Sequence, residues 1–310
     1  MIMAEPIPFP AAALRGALRL DEPMAKHVSW RAGGRAARAY LPADTADLAA
    51  FLKNLPASEP VCLVGLGSNL LVRDGGFHGT VVLMHKTHAA IHVDGKHVYA
   101  DAGQASPKVA RFAAVHGLEG AEFLAGIPGT VGGALAMNAG CYGSETWDVV
   151  ERALTIDRHG ELRERGHAEF SVGYRHCALR DDARLGEDVW FAGAWFRFRE
   201  GDSARARARI AELLARRVES QPLSLPNAGS VFRNPPGDHA ARLVEACGLK
   251  GFAIGGARIS EKHANFIVNP KRKASAADIE ALIAHARETV KARFGVELQI
   301  EVRIVGEKIL

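Results

Sequence analysis

Apolar residues recur at helical spacing in several stretches of the chain, and residues that start or stop helices bound each stretch. The pattern predicts helices at 44–55, 106–116, 203–220, 240–247 and 276–294. Ser106 is expected to cap the second helix, with Pro107 in its first position, and Ser275 and Asp278 have the spacing of a capping box. In the third helix, the residues expected to face inward are Ile210, Leu213, Leu214 and Val218.

Shorter apolar runs between these helices have the composition of β-strands. They predict strands at 61–65, 80–84, 153–157, 189–198 and 298–304. The Asp94-Gly95 pair predicts a hairpin with a tight turn. In the last strand, alternation turns the leucine, isoleucine and valine residues inward and places Glu301 and Arg303 on the other face. Because hairpins and helices are mixed without an internal repeat, we expect an α+β fold.

Composition and charge are those of an ordinary folded protein. The 310 residues are 48% hydrophobic and 24% charged. A formal net charge of +4 suits anionic small molecules but is too weak to indicate a nucleic-acid partner. The amino terminus lacks the pattern of a signal peptide, and no apolar run has the length of a membrane span, so we expect a cytoplasmic protein without membrane insertion.

Cysteine and histidine positions do not indicate a metal site. The cysteines at 62, 141, 177 and 247 are far apart and form no C-x-x-C pair, which is typical of reduced thiols. His85, His88 and His92 cluster, but no cysteine or well-spaced carboxylate completes a ligand set. We therefore expect surface histidines and no bound metal.

Two glycine-rich segments are candidates for binding a nucleotide. The segment 65–70 follows a predicted strand, but leucine replaces the third glycine of a dinucleotide fingerprint and the next residues favour a strand. Its glycines still let backbone amides approach an anion. The segment 126–143 has five glycines in its first fifteen residues and no charge among them, which is typical either of a ligand-facing backbone or of a tightly packed turn. Arg31 lies beside a third glycine pair.

A serine hydroxyl stands in a rigid loop near the carboxyl end. The run Pro226-Asn-Ala-Gly-Ser230-Val-Phe-Arg-Asn234-Pro predicts a tight loop before Ser230. A hydroxyl on a loop held by rigid neighbours can be directed at a ligand, although an ordinary turn with a solvated serine has the same pattern.

Together these segments resemble the UDP-N-acetylenolpyruvoylglucosamine reductases (the MurB family) over residues 27–306. The motifs that carry the resemblance lie at 30–34, 65–76, 126–134, 138–140, 173–175, 227–235 and 301–306. The resemblance implies a flavin-binding domain of the PCMH or vanillyl-alcohol-oxidase type at 1–202, in two parts of about 1–82 and 83–202. It implies a substrate-binding domain at 203–310. The chain has no obvious inserted loop after the flavin domain, and in this respect it resembles the family's compact second type.

The resemblance also implies the ligands and the reaction. Noncovalent FAD would be the cofactor, with its pyrophosphate against 65–69 and 126–130, and NADPH would donate hydride at the site that the substrate later occupies. UDP-N-acetylglucosamine enolpyruvate would be reduced to UDP-N-acetylmuramate, a peptidoglycan precursor, by a monomeric enzyme. The implied FAD-binding residues are Arg31, Gly65, Gly67, Ser68, Asn69, Gly126, Ile127, Pro128, Gly129, Thr130, Gly133, Asn138 and Gly140.

Three residues would carry the chemistry by the same resemblance. Ser230 would protonate C2 of the substrate, Arg175 would hold the substrate carboxylate, and Glu301 would stabilise the enol. Arg175 taken alone is more typical of a surface ion pair, and the same strand geometry permits plain solvent exposure of Glu301. The further substrate contacts implied are Tyr174, Asn234, Lys262 and His263.

The chain departs from the family pattern near the expected flavin site. Val28 and Ser29 replace a usual Asn-Thr pair, and Arg35 stands where proline often follows the two glycines. Two other functions stay open at this point. An oxidase acting on an alcohol or lactone would keep the flavin fold, and a noncatalytic nucleotide-binding protein would contain no flavin.

Overall fold

The computed structural model describes residues 14–86 and 89–309 of the chain. They form two compact units, each built from separate stretches. Of the described residues, the first unit contains 14–20, 38–66 and 79–215, and the second contains 21–37, 67–78 and 216–309. The expected division into a flavin domain and a substrate domain at 202/203 stays a prediction, because packing alone does not identify the ligand of each unit.

The helices of the described residues are α1 (Thr45–Lys53), α2 (Ser106–Val115), α3 (Val131–Met137), α4 (Ser203–Ser220), α5 (Ala240–Ala246) and α6 (Ala276–Phe294). Five of them were predicted, and the capping box of α6 is confirmed. Ser106 is not a cap, since it lies inside α2 and Ala105 precedes the helix. The short α3 was not predicted, because its glycines have low helix propensity. Val218 is 61% exposed, so its expected inward position is wrong.

The strands fall into one large antiparallel sheet and several smaller ones. In chain order they are β1 (Ala17–Pro23), β2 (Arg35–Leu41), β3 (Val61–Val64), β4 (Leu70–Val72), β5 (Phe77–Leu83), β6 (Ile91–Asp94), β7 (His97–Asp101), β8 (Leu118–Glu119), β9 (Gly140–Cys141), β10 (Ser144–Glu145), β11 (Val150–Asp157), β12 (Leu162–Gly166), β13 (Phe170–Gly173), β14 (His176–Leu179), β15 (Val189–Phe196), β16 (Arg199–Glu200), β17 (Ala253–Ile254), β18 (Ala257–Ile259), β19 (Ile267–Val268) and β20 (Arg303–Val305). The predicted hairpin is confirmed as β6–β7, although Asp94 pairs with His97 and the turn centres on Gly95 and Lys96.

The five-stranded sheet of the first unit has the order β12-β11-β15-β7-β6. Its central strand β15 is buried along its whole length, which explains its continuous apolar sequence. A four-stranded sheet has the order β1-β2-β5-β3, in which β3 and β5 run parallel. In the second unit, β17, β18 and β19 form an antiparallel sheet, and β20 pairs in parallel with β4. The mixture confirms the α+β class.

Each unit has its own hydrophobic core. Trp147, Phe170 and Phe191 pack together in the first, and Trp30, Phe232 and the buried face of α6 pack in the second. Trp30 is fully buried, and its indole Nε1 donates to the backbone oxygen of Ile267 at 2.7 Å. Among the described residues, no helix is long and apolar enough to cross a membrane, and no group of three His, Cys, Asp or Glu side chains could hold a metal ion. His88, named in the histidine cluster, lies outside the described residues.

A buried ion pair joins distant stretches of the first unit. Arg38 donates to Glu59 at 2.6 Å and 3.2 Å, and the Thr80 hydroxyl donates to the same carboxylate at 2.6 Å. The Arg38 and Glu59 side chains are 11% and 9% exposed. Glu59→Gln removes the counter-charge of a buried guanidinium, so we expect the free energy of unfolding to fall by about 3–5 kcal/mol in urea denaturation.

The control for this prediction is Arg15→Gln. Arg15 pairs with Asp44 at 2.6 Å, but its side chain is 59% exposed. Solvent screens such pairs, so we expect a much smaller loss of the free energy of unfolding than in Glu59→Gln. Equal effects of the two substitutions would show that the buried pair contributes no more than an exposed one.

Candidate active site

In the first unit, the end of β3 lies against the segment that precedes α3. A Cβ atom on Gly65 would lie 2.3 Å from Thr130 Oγ1, so only glycine permits this approach. Thr130 is buried, and its hydroxyl caps α3 by accepting from Gly133 N at 3.4 Å. Ser106 N donates to Gly129 O at 2.9 Å, which fixes the segment against α2. The structure therefore brings Gly65 and the segment 126–130 together.

Two other glycines of this region, Gly126 and Gly140, serve close packing. A Cβ atom on Gly126 would meet Cys141 Sγ and the Tyr142 ring at 2.7 Å, and one on Gly140 would meet Ser144 O at 2.6 Å. Gly133 is exposed, and a Cβ atom there would have an ordinary contact. Around these glycines, Ile127 is buried and Pro128 is exposed. The turn interpretation thus holds for Gly126 and Gly140, whereas Gly133 has room for a ligand.

In the second unit, Gly67 lies against the segment that departs from the family pattern. Its φ is +60°, and a Cβ atom would lie 2.2 Å from His27 O. Ser29 donates to Gly67 O from its backbone nitrogen at 3.0 Å and from its hydroxyl at 3.1 Å. Val28 is buried. Ser29 therefore supplies a hydroxyl that fixes the glycine loop, and the departure at Val28 is absorbed by packing.

The two arginines on either side of the Gly33-Gly34 pair, Arg31 and Arg35, have different contacts. Arg31 is exposed with φ +58°, and it donates to Lys26 O at 2.8 Å. Arg35 forms an exposed ion pair with Asp21 at 2.6 Å. The departure at Arg35 thus adds a surface pair.

Asn138 connects three segments of the first unit. It is 2% exposed and has a left-handed backbone with φ +41°. Its Nδ2 donates to Glu145 Oε2 at 2.7 Å and to Gly173 O at 3.1 Å, while its Oδ1 accepts from Trp147 N at 3.1 Å. Because the amide is occupied inside the protein, we expect Asn138 to position neighbouring groups rather than contact FAD through its side chain.

Arg175 is one of the turn residues of the β13–β14 hairpin. Gly173 pairs with His176, which leaves Tyr174 and Arg175 in the turn, the latter with φ +53°. The guanidinium donates to Gly140 O at 3.0 Å and to Asn138 O at 3.4 Å, and Glu145 Oε1 lies 3.9 Å away. The Arg175 side chain is 18% exposed, and it lies 5.0 Å from the ring centre of Tyr174, which is half exposed. These contacts fix the direction of the cation at a partly open surface.

The loop before Ser230, in the second unit, is built by Asn227. Its Nδ2 donates to Leu225 O at 2.7 Å and its Oδ1 accepts from Gly229 N at 3.0 Å, which is an Asx turn. Gly229 has φ +74°. Ser230 is partly exposed, and across the described residues no hydrogen bond involves its hydroxyl. The predicted tight loop is confirmed.

Asn265 holds the chain directly after Ser230. Its backbone oxygen accepts from Val231 N at 2.9 Å. Its side chain accepts from Phe232 N at 2.9 Å and donates to Phe232 O at 2.8 Å. Asn265 is 3% exposed, so these bonds are sheltered from water. No local sequence pattern predicts this role, whereas the Asx turn of Asn227 could have been predicted.

Glu301 lies beside the Ser230 segment. Phe232 and Ile300 form an antiparallel bridge, Glu301 N donates to Val231 O at 2.8 Å, and Arg233 N donates to Gln299 O at 2.9 Å. Glu301 is partly buried and Val302 is 5% exposed. The expected alternation is confirmed, but a regular strand covers only Arg303–Val305. The structure thus brings the backbones of Ser230 and Glu301 together, a pairing that was not predicted.

Three further expected substrate contacts, Asn234, Lys262 and His263, lie in the second unit. Asn234 is exposed, and its Oδ1 accepts from Ala240 N at the start of α5, at 3.1 Å. Lys262 Nζ donates to Val218 O at 2.6 Å, beside a cavity of about 390 Å³ whose lining includes Gln221, Arg258 and Ser260. Burial lowers the pKa of His263 below its ordinary value.

Two protein-family models and several named proteins match this chain. The family model described as "UDP-N-acetylenolpyruvoylglucosamine reductase, C-terminal domain" matches residues 221–305, and the model "FAD binding domain" matches residues 36–166. A protein of Thiobacillus denitrificans named UDP-N-acetylenolpyruvoylglucosamine reductase is 58% identical, over 96% of this chain and 95% of its own. The protein of the same name from Nitrosospira multiformis is 57% identical, over 95% and 90%.

One solved structure is also similar along almost its whole length. It is the crystal structure of UDP-N-acetylenolpyruvylglucosamine reductase (MurB) from Thermus caldophilus. It is 30% identical with a TM-score of 0.76, over 94% of this chain and 99% of that chain.

Proposed function

The chain belongs to the UDP-N-acetylenolpyruvoylglucosamine reductase family, and from this membership we propose which residues carry its reaction. The protein is a flavin-dependent oxidoreductase, a UDP-N-acetylmuramate dehydrogenase, that reduces UDP-N-acetylglucosamine enolpyruvate to UDP-N-acetylmuramate for peptidoglycan. The observation that supports the assignment of roles is the pairing of the Ser230 and Glu301 segments. NADPH as hydride donor, a monomeric state and a cytoplasmic location belong to the same proposal.

The residues of the first unit that would hold FAD suit an extended anionic cofactor. The segment 126–130 is uncharged and rich in glycine, and its contact with Gly65 aligns two backbone segments. Backbone amides on glycine-rich turns are suited to a pyrophosphate. The other proposed contacts are Arg31, Gly67, Ser68 and Gly133, together with the backbone groups of Asn69, Asn138 and Gly140. FAD, when bound, supplies the hydride transfer.

The protein residues manage the charge that forms on the substrate. Hydride addition at the vinyl carbon C3 leaves negative charge on C2 and the adjacent carboxylate. The Arg175 guanidinium holds that carboxylate with paired donors, and Glu301 hydrogen-bonds to an oxygen of the enol. The Ser230 hydroxyl then delivers its proton to C2. An alcohol is a weak acid, and it can serve here because the enolate carbon is strongly basic.

We assign the nucleotide end of the substrate to the second unit. Lys262 carries a positive charge at the rim of the 390 Å³ cavity and provides a partner for the diphosphate. Burial lowers the pKa of His263 and thereby favours its neutral ring, so we assign it hydrogen bonding rather than charge. Asn234 and Tyr174 are exposed and complete the proposed substrate contacts.

The experiment that tests this function is a steady-state assay with product analysis. NADPH oxidation should depend on the enolpyruvyl sugar nucleotide, and the product should be heavier than the substrate by two hydrogens. An alcohol or lactone oxidase would reduce its flavin with the alcohol or lactone and would not require NADPH. A noncatalytic nucleotide-binding protein would show no turnover and no flavin spectrum.

Gly65→Ala is expected to impair FAD binding. The added Cβ would overlap Thr130 Oγ1, and the buried cap of α3 leaves little room for relief. This contact is part of the proposed FAD site, so an overpacking cost of about 1–3 kcal/mol should weaken FAD binding about 5- to 150-fold in a fluorescence titration. Gly166→Ala is the control, because a Cβ there meets nothing within 4 Å. Unchanged FAD affinity in Gly65→Ala would contradict the assignment.

A further inference from the structure

The backbone of Glu301 is held on both sides by groups of the second unit. Its N–H donates to Val231 O at 2.8 Å, and its carbonyl oxygen accepts from the side-chain amide of Asn69 at 3.2 Å. Asn69 also accepts, through its own carbonyl, from Arg303 N at 3.0 Å. One asparagine therefore contacts the chain on both sides of Val302.

The side chain of Asn69 bridges a gap between two regular pairings. On one side, Phe232 and Ile300 form the antiparallel bridge next to Ser230. On the other, β20 begins at Arg303 and pairs in parallel with β4 from Leu70. Glu301 lies between them, where the parallel pairing has not yet begun. The Asn69 amide takes the place of the missing backbone donor at this position.

We propose that Asn69 is a positioning residue for Glu301. Its side chain fixes the Glu301 carbonyl and with it the direction in which the carboxylate leaves the backbone. The inference rests on the proposed role of Glu301. Asn69 was expected to contact FAD as part of the segment 65–69. The structure shows that its side chain is instead hydrogen-bonded to the carbonyl oxygen of Glu301. A residue of the expected cofactor loop thereby sets the geometry of the residue that stabilises the enol.

The test uses the two half-reactions of the FAD-loaded enzyme. In Asn69→Ala the backbone of the loop remains, and only the amide that holds Glu301 is removed. We expect the enolpyruvyl substrate to reoxidise the reduced enzyme about tenfold more slowly, since one hydrogen bond is lost at a site that needs exact geometry. Reduction by NADPH should stay within about twofold of wild type. Asn69→Asp removes the same donor while keeping the side-chain shape, and should have the same or a larger effect.

A double-mutant cycle with Glu301→Gln separates positioning from a general structural role. If Asn69 acts through Glu301, Asn69→Ala should have little further effect in the Glu301→Gln background. Asn54→Ala is the control, because the Asn54 amide also donates to a backbone oxygen, that of Ala50, at 2.7 Å on α1. It should change neither half-reaction.

Each of the following results would overturn the inference. Additive effects in the cycle would show that Asn69 does not act through Glu301. Equal slowing of both half-reactions, or weaker FAD binding that accounts for the loss, would assign the Asn69 side chain to the cofactor. A normal rate in Glu301→Gln alone would remove the proposed role of Glu301 and this inference with it, whereas a slow Glu301→Gln with a normal Asn69→Ala would remove only the inference.

Discussion

Ser230→Ala should slow reduction of the enolpyruvyl substrate by about 10³–10⁴-fold, while reduction of the bound flavin by NADPH stays near the wild-type rate. The hydroxyl is the proposed source of the proton at C2. Its loop is held by the Asx turn of Asn227 and by the three hydrogen bonds of Asn265. Because this support involves no Ser230 side-chain atom, the substitution removes the proton donor without removing a contact of the fold. Single-turnover stopped-flow absorbance measures each half-reaction separately.

Two further variants sharpen this prediction. Ser230→Cys retains a transferable proton, and a thiol is a stronger acid than an alcohol, so part of the rate should return. Ser220→Ala is the control, since that exposed hydroxyl only donates to Arg216 O at 2.9 Å within α4. Wild-type turnover in Ser230→Ala would remove Ser230 from the mechanism.

Arg175→Lys should lower kcat/KM for the enolpyruvyl substrate by about 10²–10³-fold, because lysine keeps the charge but loses the planar paired donors. It also loses the hydrogen bonds to Gly140 O and Asn138 O that fix the direction of the cation. If the guanidinium stabilises the charge that builds on the carboxylate, kcat falls as well as kcat/KM. Steady-state kinetics with varied substrate at saturating NADPH gives both constants.

Arg180→Lys is the matched control for this substitution. Arg180 flanks the other end of the same hairpin, is exposed, and donates through Nε to Phe170 O at 3.1 Å. It should leave both constants unchanged. A rise in KM alone for Arg175→Lys would mean that Arg175 binds the ground state and transition state equally.

The spacing of apolar residues and the helix-capping residues predicted those elements whose ends are set by residues close in the sequence. The limits of α4 and α6 follow from amphipathic spacing, and Ser275 and Asp278 fix the start of α6. Local pattern failed where tertiary packing decides. α3 forms in a glycine-rich run because Thr130 caps it and the surrounding core supports it, and Val218 is exposed at the rim of a cavity.

In the candidate site, too, the features set by neighbouring residues could be predicted, and those set by tertiary packing could not. The Asn and Gly before Ser230 predict its loop, because an Asx turn needs only neighbouring residues. The pairing of Val231 with Glu301 joins segments seventy positions apart, and no local periodicity specifies such a partner. The same holds for Asn69 and Asn265, whose side chains serve backbone groups far away in the sequence. The resemblance named Ser230 and Glu301 as candidate catalytic residues, and the structure supplies the contacts that hold their backbones.

Anaerobic absorbance spectroscopy of the purified, FAD-loaded protein tests the central claim most directly. Adding NADPH should bleach the flavin band, and adding UDP-N-acetylglucosamine enolpyruvate should restore it in one turnover. Bleaching by NADPH without recovery on adding the enolpyruvyl substrate would contradict the proposed reaction. The absence of a flavin band in protein that also fails to bind added FAD would contradict the cofactor assignment itself.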